Sequence, residues 1–343
     1  MNQILQIDGS FGGGSVIRVA VPIALATGKS LNIINIRKNR KKPGLRLQHL
    51  SGLKLLAEIT GSKLNHSEIG SQEISIETNT DPTKFKDSIT VHLDTAASIS
   101  LIVQAIANYT FMSKRSITLQ FIGGGTVTSW APTCSYLQYI TKPIFLKFGL
   151  EINIDIKLDG YYPRGGAEGT IQLNWIGSPL TSVAFNTYTD WKVTLFGQAS
   201  QDLERQKVIE RQIEAYQENF NQPIETIENY LPSKSAGTNL LAIIESKDTI
   251  KGLTELGKIG RKSEEIGKTL AKKTTEELKE ISSVDEYLAD QLILPLAISP
   301  SGSYYTISKI TEHVEVNIKV LEIFMKDIFE VHHHENYVSI IKK

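Results

Sequence analysis

The sequence contains almost no cysteine and no long hydrophobic segment. Its single cysteine, Cys134, has no partner for an internal disulfide and cannot supply a thiolate zinc cluster, which excludes disulfide-stapled secreted scaffolds and zinc fingers. No apolar run reaches the roughly 18 residues of a membrane-spanning helix, and the start, MNQILQID, lacks a basic stretch followed by an apolar one. We therefore expect a cytoplasmic protein without a membrane span or a secretory signal.

The sequence also has no net charge, because 37 Lys and Arg balance 37 Asp and Glu, and this argues against general binding to polyanions. The charges are nevertheless unevenly distributed. The first 50 residues contain one acid, Asp8, and eight basic residues, six of which fall between Arg37 and Arg46. Such a run is typical of a phosphate or nucleic-acid patch, although a solvated loop without a ligand explains the run alone equally well.

The 343 residues, of which 41% are hydrophobic, favour two domains or one large domain with an insertion. The periodicity predicts the order helix, strand, helix and short strands three times. The first helices of these units begin near Val16, Ala96 and Glu286. Similar helix-to-strand junctions follow at Gly28, Lys114 and Gly302, and the second interval is about a hundred residues longer than the first. The surplus predicts a smaller α/β domain, residues 182–277, inserted before the third unit of a larger domain formed by residues 1–181 and 278–343.

If the three units are superimposable, the starts of their second helices occupy equivalent places. These starts are Pro43-Gly44-Leu45-Arg46, Ala131-Pro132-Thr133 and Thr311-Glu312-His313. Helix N-termini present unpaired N–H groups and the positive end of the helix dipole, so their convergence would create an anion pocket.

Two further features suggest chemistry. The loop from Asp8 to Ser15 contains four glycines that would let backbone amides approach a phosphate, with Arg18 one turn further on, although a plain tight turn explains the glycines equally well. His313 falls in the first turn of a helix, where an imidazolium is disfavoured, so it would stay neutral and nucleophilic. A lone histidine is still more often structural than catalytic.

Several long motifs resemble those of the RNA 3′-terminal phosphate cyclases. They are Arg37-x-x-Arg40-x-x-Pro43-Gly44-Leu45 followed by Gln48-His49-Leu50, Tyr161-Tyr162-Pro163-Arg164-Gly165-Gly166, Tyr287-Leu288-Ala289-Asp290-Gln291-Leu292-x-Leu294-Pro295 and His313-x-x-x-Asn317-Ile318. They occur in the family's order as far as about residue 330, so the resemblance covers nearly the whole chain. It implies an α+β (α/β) fold of three βαβαββ repeats with a smaller inserted domain.

The resemblance also implies an enzyme that uses ATP to convert an RNA 3′-terminal phosphate into a 2′,3′-cyclic phosphodiester. The matching catalytic residue is His313, which would carry AMP covalently. The matching phosphate-binding residues are Arg18, Arg37, Arg40 and Gln48. The matching adenylate-site residues are Gln104, Pro132, Tyr287, Leu288, Ala289, Asp290 and Gln291, with Tyr287 and Pro132 beside the base. The implied cofactors are ATP and a divalent metal, Mg²⁺ or Mn²⁺. The sequence identifies neither the protein ligands of this metal nor the oligomeric state of the protein.

The glycine loop departs from the family pattern. Members usually carry a Glu-Gly pair before the last glycines and a Gln after them, whereas here Gly12 runs directly into Gly13-Gly14-Ser15, two residues short. The missing Glu would ordinarily help to hold the metal on the ATP phosphates, so reduced activity is expected. An alternative is a cyclase-like protein that binds RNA or assembles ribonucleoprotein without catalysis. A small-molecule transferase on a similar repeated fold fits the arginines but not the order of the motifs, and retention of His313 favours the enzyme.

Overall fold

The computed structural model describes residues 4–186 and 190–343. The chain begins with a βαβαββ unit. Its elements are β1 (Leu5–Asp8), α1 (Gly14–Ala26), β2 (Leu31–Ile34), α2 (Leu47–Thr60), β3 (Lys63–Asn65) and β4 (Ile74–Glu77). The strands form one sheet in the order β1-β2-β4-β3, in which only β1 and β2 are parallel. Ten of the 13 residues of α1 are buried, as expected of a helix that is apolar on nearly every side.

The second unit repeats this order of elements. It consists of β5 (Ser88–Ser98), α3 (Ile99–Ser113), β6 (Ile117–Gly125), α4 (Cys134–Tyr136), a π-helical turn (Leu137–Thr141), α5 (Lys142–Lys147), β7 (Leu150–Leu158) and β8 (Glu168–Trp175). The sheet order is β5-β6-β8-β7, which matches the first sheet.

Two sequence predictions in this unit were wrong in their boundaries. The predicted helix from Ala96 begins only at Ile99, because Ala96 to Ser98 still belong to β5 and the Ser98 hydroxyl caps the helix by accepting from Leu101 N (3.4 Å). The second helix, whose start the sequence placed at Ala131-Pro132-Thr133, begins at Cys134 and is interrupted by the π-helical turn. Thr133 sets this start, since its hydroxyl accepts from Tyr136 N (3.1 Å).

A second α/β region, called the inserted region below, follows where the sequence predicts a smaller α/β domain over residues 182–277. It contains β9 (Lys192–Ser200), α6 (Val208–Gln217), β10 (Ile224–Leu231), β11 (Thr238–Glu245), β12 (Ile250–Leu256) and α7 (Ser263–Glu277). Its sheet order is β10-β9-β11-β12. One sheet face packs with α6 and α7 in a core of its own. The other face contributes Phe196, Leu241, Ile243 and Ile250 to the core of the three-unit body, so the region is packed on both faces of its sheet.

The third unit comprises α8 (Glu286–Ala297), β13 (Tyr304–Ile307), α9 (Glu312–Phe324), β14 (Phe329–His333) and β15 (Val338–Lys342). Its sheet order is β13-β15-β14. Ala184 forms a parallel bridge with Tyr304, which places the 183–185 segment where β1 and β5 lie in the other sheets. The mixed α+β class is thus confirmed. The shared strand orders support the threefold repeat, which stays a prediction together with the domain boundaries.

The core of the body is shared by all three units. Helix α1 packs against α2, α3 and α9, and α8 packs against α3 and α9. This arrangement places the beginnings of α1 and α9 side by side. In the described ranges, the helices are all too short or too polar to cross a membrane.

Candidate active site

The glycine loop before α1 is held between elements of the first and third units. A Cβ at Gly12 would lie 2.7 Å from side-chain carbons of Val16 and of Val316 in α9. A Cβ at Gly14 would lie 2.4 Å from Nε2 of His49 in α2. Real Cβ atoms do not approach this closely, so glycine at 12 and 14 allows α9 and α2 to approach the loop.

The basic loop after β2 reaches the start of α9. Arg40 forms an ion pair with Glu312, the first residue of α9, and its guanidinium lies over Gly13, where a Cβ would be 3.5 Å from Nη2. The structure therefore brings the starts of α2 and α9 together around the glycine loop. Arg37 has a different position, because its Nη1 donates to the carbonyls of Lys42 (3.1 Å) and Gly44 (2.8 Å) within its own loop.

His313 is the second residue of α9 and is exposed to solvent. The helix begins there because the Thr311 hydroxyl accepts from Val314 N (3.2 Å). The pKa of His313 is lowered, mainly because surrounding protein displaces water and also because Arg18 and Arg40 repel a proton, while Glu312 opposes the shift. The imidazole is therefore held in its neutral form, which can act as a nucleophile.

His49 is a second histidine of this site, and the sequence analysis assigned it no role. It is buried in the first turn of α2, and its Nδ1 accepts from Arg46 N (3.1 Å). Burial, followed by repulsion from Arg18, Arg37 and Arg46, lowers its pKa to about 3. The neutral imidazole of His49 thus packs against the glycine loop at Gly14. The Gln48-His49-Leu50 motif was the sequence signal that could have indicated a role for His49 in the site.

Two small cavities flank α1, and the predicted residues divide between them. Arg18 and Gln48 line one, together with His49, and it has a volume of about 20 Å³. The other has a similar volume, and its polar lining consists of Ser15, Gln104, Asn108, Asp290, Gln291 and Asn317. In the second cavity, Oγ of Ser15 and Oδ1 of Asn317 are buried without a hydrogen-bond partner in the described structure. Unpaired buried oxygens next to an opening are free to bind water or a polar ligand.

Asp290 carries the charge of the second cavity. Burial raises its pKa to about 7, while the positive charge of Arg18 acts in the opposite direction. The pKa of Arg18 is itself lowered by burial and supported by Asp290. The two side chains therefore interact electrostatically through the protein, although they form no ion pair within 4.0 Å among the described residues.

The segment from Tyr287 to Gln291 has two faces on α8. Tyr287 is exposed, and its ring centroid lies 6.2 Å from that of Tyr136 in an edge-to-face contact. Gln291 is fixed, since its Nε2 donates to Tyr287 O (2.8 Å) and its Oε1 accepts from Thr141 (3.0 Å). Leu288 and Ala289 are fully buried, so their side chains do not reach the surface of the site.

Pro132 lies just before α4, which carries Tyr136. Its carbonyl oxygen accepts from Ser100 (2.6 Å) in the first turn of α3. Gln104 lies one turn further along the same helix and reaches the second cavity. The start of the second unit's second helix is therefore connected to this site through α3 and Tyr136.

A metal site formed by protein side chains alone is not evident in residues 4–186 and 190–343, where no group of three His, Cys, Asp or Glu side chains could hold an ion. The nearby acids are engaged elsewhere. Asp8 accepts from Ser10 N (2.9 Å), and Glu312 pairs with Arg40. The donor set does not form a cage of the kind that holds a structural metal.

The family model for RNA 3′-terminal phosphate cyclases matches residues 9–331. The chain belongs to the RNA 3′-terminal phosphate cyclase family. It is similar to proteins named RNA 3′-terminal phosphate cyclase from three archaea. They are those of Pyrococcus furiosus (34% identity, 95% of this chain and 94% of the relative), Methanococcoides burtonii (34%, 98% and 99%) and Thermococcus onnurineus (32%, 96% and 95%).

The match to the cyclase family includes the glycine loop from Gly9, the basic loop, α8 and α9. It begins at Gly9, at the start of the glycine loop, and extends beyond α9. The alignments with these relatives extend over almost the whole chain and so include the second α/β region.

Proposed function

We propose that the protein is an ATP-dependent enzyme that converts RNA 3′-terminal phosphates into 2′,3′-cyclic phosphodiesters, with His313 as the nucleophile. The observation that carries the proposal is the environment of His313. Its imidazole has a lowered pKa and stands at the start of a helix, beside Arg40 and the glycine loop. The names of the family's relatives supply the class of reaction.

The reaction would proceed in three transfers at phosphorus. A ring nitrogen of neutral His313 attacks the α-phosphorus of ATP, a P–N bond forms, and the bond to pyrophosphate breaks. An oxygen of the RNA 3′-phosphate then attacks the same phosphorus and breaks the P–N bond, which leaves AMP on the RNA end. The 2′-hydroxyl finally attacks the 3′-phosphorus, loses its proton to water and expels AMP. The first two transfers thus place AMP, a good leaving group, on the RNA phosphate, whose own oxygen is a poor leaving group.

The surrounding residues support binding of a nucleotide. Arg18 and Arg40 supply positive charge near His313, and the helix starts supply unpaired N–H groups for phosphate oxygens. Tyr287 and Pro132 would flank the base, and Asp290 with the cavity oxygens would contact the sugar. A divalent cation, Mg²⁺ or Mn²⁺, would enter with the triphosphate, because Mg²⁺ sites commonly use phosphates and few protein ligands. We place this activity in the cytoplasm, where ATP is available.

The test is covalent labelling with ATP carrying a radioactive α-phosphate. We expect one AMP per chain, on His313, with the acid lability of a P–N bond. His313→Ala should abolish the label, whereas His333→Ala should not, because His333 is an exposed histidine at the end of β14. Label on another residue, or label in His313→Ala, would overturn the assignment.

Cyclisation is then measured separately with an oligoribonucleotide that ends in a 3′-phosphate. The expected product resists phosphatase, because a cyclic diester has no terminal phosphate. Absence of both label and product at every metal concentration would instead support the non-catalytic RNA-binding alternative.

A further inference from the structure

Three surface loops are joined beside the candidate active site. Val127 forms a parallel bridge with Tyr161, and the amides of Thr126 and Val127 donate to Gly160 O (2.9 and 3.2 Å). Asp159 forms a parallel bridge with Ser233, and its amide donates to Pro232 O (2.9 Å). The loops 126–132, 159–166 and 232–235 therefore form one continuous surface, to which the body and the inserted region both contribute.

This surface exposes aromatic rings that have no packing role. Trp130 is 100% exposed and Tyr162 is 81% exposed. Among the other Phe, Trp and Tyr residues that the structure describes, only Tyr287 of the candidate active site is similarly open to solvent, with 47% exposure. Trp130 also has φ of 69°, a left-handed conformation that is costly for a bulky residue. Trp130 therefore contributes nothing to the core, and its whole indole ring is available to an external partner.

The same loops carry positive charge that other side chains do not neutralise. Arg164 and Lys234 are exposed, and within the described ranges neither forms an ion pair or a side-chain hydrogen bond. The stem of Lys234 covers Gly166, where a Cβ would lie 2.5 Å from its Cδ, so the two cationic side chains project from neighbouring loops. The only acid in the three loops is Asp159, which is buried.

The surface adjoins the site of the proposed chemistry. Trp130 is two residues from Pro132, whose carbonyl is bound to Ser100 at the start of α3. Gln104, which lines the cavity with Asp290, follows four residues later, about 6 Å along the helix. The Trp130 loop is therefore linked, through Pro132 and the first turns of α3, to the cavity that Asp290 lines.

We propose that Trp130, Tyr162, Arg164 and Lys234, the Trp130 surface, bind the single-stranded 3′-terminal segment of the RNA. Bases stack on the two rings, and backbone phosphates pair with the two cations. Alternating aromatic and cationic side chains without acids are the usual means of binding single strands with little sequence preference. The proposal rests on the proposed function in taking RNA as the substrate.

The test measures affinity for an oligoribonucleotide ending in a 3′-phosphate, in the absence of ATP. Binding should quench tryptophan fluorescence in the wild type but not in Trp130→Phe, which should keep most of the affinity because a ring remains. Trp130→Ala should weaken binding about 5- to 150-fold, the range of one lost stacking contact. Leu180→Ala is the matched control, because Leu180 is also almost fully exposed (98%) and should have no effect.

Charge is tested through salt dependence. Lys234→Ala should reduce the slope of log affinity against log salt by about 0.7, as expected for one lost phosphate contact on a single strand. Lys268→Ala, which removes an exposed lysine from α7, is the control. Thermal melting of each variant establishes that the fold is retained, which the exposure of these side chains leads us to expect.

The outcomes separate this surface from the proposed function. Unchanged RNA affinity in both Trp130→Ala and Arg164→Ala, with no fluorescence quenching in the wild type, would contradict RNA binding by the Trp130 surface. That result would favour a protein partner for these loops. Wild-type protein that binds RNA through Trp130 but never labels with AMP would retain the surface and overturn the proposed enzyme.

Discussion

Two carboxylates on the same helix, Asp285 and Asp290, differ completely in their surroundings. Asp285 caps α8 at the junction of the body with the inserted sheet, and it accepts from Tyr136 OH (2.7 Å), Gly252 N (2.8 Å), Tyr287 N and Leu288 N (both 2.9 Å). Asp290 lies five residues later, beside a polar cavity, and its carboxylate accepts no hydrogen bond from the described residues.

The comparison extends beyond these two residues. Asp159, also at the junction, accepts from Thr126, Gln198 and Tyr161. Ser15 and Asn317 leave oxygens unpaired at the candidate site, and at the junction Gln198 and Asn239 each leave a side-chain oxygen unpaired although their amide nitrogens donate. Buried polar groups that are fully hydrogen-bonded stabilise a fold, whereas unpaired ones are costly unless a ligand completes them. The difference therefore lies in the two carboxylates: that of Asp285 is held by four donors, whereas that of Asp290 has none among the described residues.

The largest expected effect is on stability at the junction. Asp285→Ala would leave four donors buried without an acceptor and should lower the free energy of unfolding by at least about 3 kcal/mol. At pH 4, where the native state keeps the Asp290 carboxyl protonated, Asp290→Asn should change it by less than about 1 kcal/mol, because no hydrogen bond is lost. Urea unfolding of both variants measures the difference. Equal losses would show that the two carboxylates are structurally equivalent and would break the comparison.

The pH dependence sharpens the same test. The pKa of Asp290 rises from 3.8 to about 7 on folding, so the native state prefers the protonated acid. The stability that this protonation contributes is present below pH 4 and is lost as pH rises through 7. Asp290→Asn should therefore be more stable relative to wild type at pH 8 than at pH 4, and the opposite trend would contradict the raised pKa.

A second prediction concerns the loop that joins the units at the site. Gly14→Ala would place a Cβ 2.4 Å from His49 Nε2 and should cost about 1–3 kcal/mol of stability as the buried ring is displaced. Gly52→Ala is the matched control, since Gly52 lies within α2 and a Cβ there meets no atom within 4 Å. That change should stabilise the helix by up to about 1 kcal/mol. Thermal or urea unfolding distinguishes them, and a neutral Gly14→Ala would remove the steric reason for the loop glycines.

Much of the body was predictable because its signals are local. The apolar run from Val16 to Leu25 became α1, and the caps Thr133 and Thr311 lie where helices begin. The sequence analysis did not identify the strand β5, although its first residues alternate between exposed and buried. The end of β5 was assigned to the following helix, because the apolar residues after Ala96 suggested an earlier helix start. Short-range patterns define the kind of element better than its ends.

The site was predicted in its members more than in its contacts. Arg40 and Glu312 are 272 positions apart in the sequence, so their pairing depends on the packing of the first unit against the third. The role of His49 and the turning of Arg37 into its own loop also arise from packing. Periodicity contains no information about such long-range contacts. Charge and helix position indicated the basic loop and His313, whereas only the resemblance assigned roles to Gln104, Asp290 and Gln291, and all of these roles stay predictions.

A third prediction separates the cations of the basic loop. Arg40→Ala should weaken ATP binding about tenfold or more, because arginine can bind a phosphate through two parallel hydrogen bonds. Lys41→Ala and Lys42→Ala should change it less than twofold, since both lysines are exposed to solvent. Titration with labelled ATP measures all three, and equal losses would indicate a diffuse electrostatic patch.

Arg37→Ala should lower stability, as the junction variant Asp285→Ala does, whereas Arg40→Ala should not. Its guanidinium supports the carbonyls of Lys42 and Gly44, so its loss should destabilise the loop as well as weaken ATP binding. We expect a measurable fall in melting temperature for Arg37→Ala and almost none for Arg40→Ala, whose ion pair is exposed. A fall in both would place Arg40 on the structural side of the comparison.

The smallest expected effect comes from Glu312, which pairs with Arg40 and precedes His313 in α9. Its negative charge raises the pKa of His313, against the lowering by burial, Arg18 and Arg40. Glu312→Gln should therefore lower that pKa further, so more of the imidazole stays neutral in acid and the low-pH limb of AMP labelling moves down by less than one pH unit. The same change releases Arg40 for phosphate and should tighten ATP binding by a few-fold. Single-turnover labelling across pH measures both effects, with Glu315→Gln, one turn further along α9, as the control. A limb that moves to higher pH, or ATP binding that weakens, would indicate that Glu312 itself contacts the nucleotide or its cation, and would assign this carboxylate to the binding machinery.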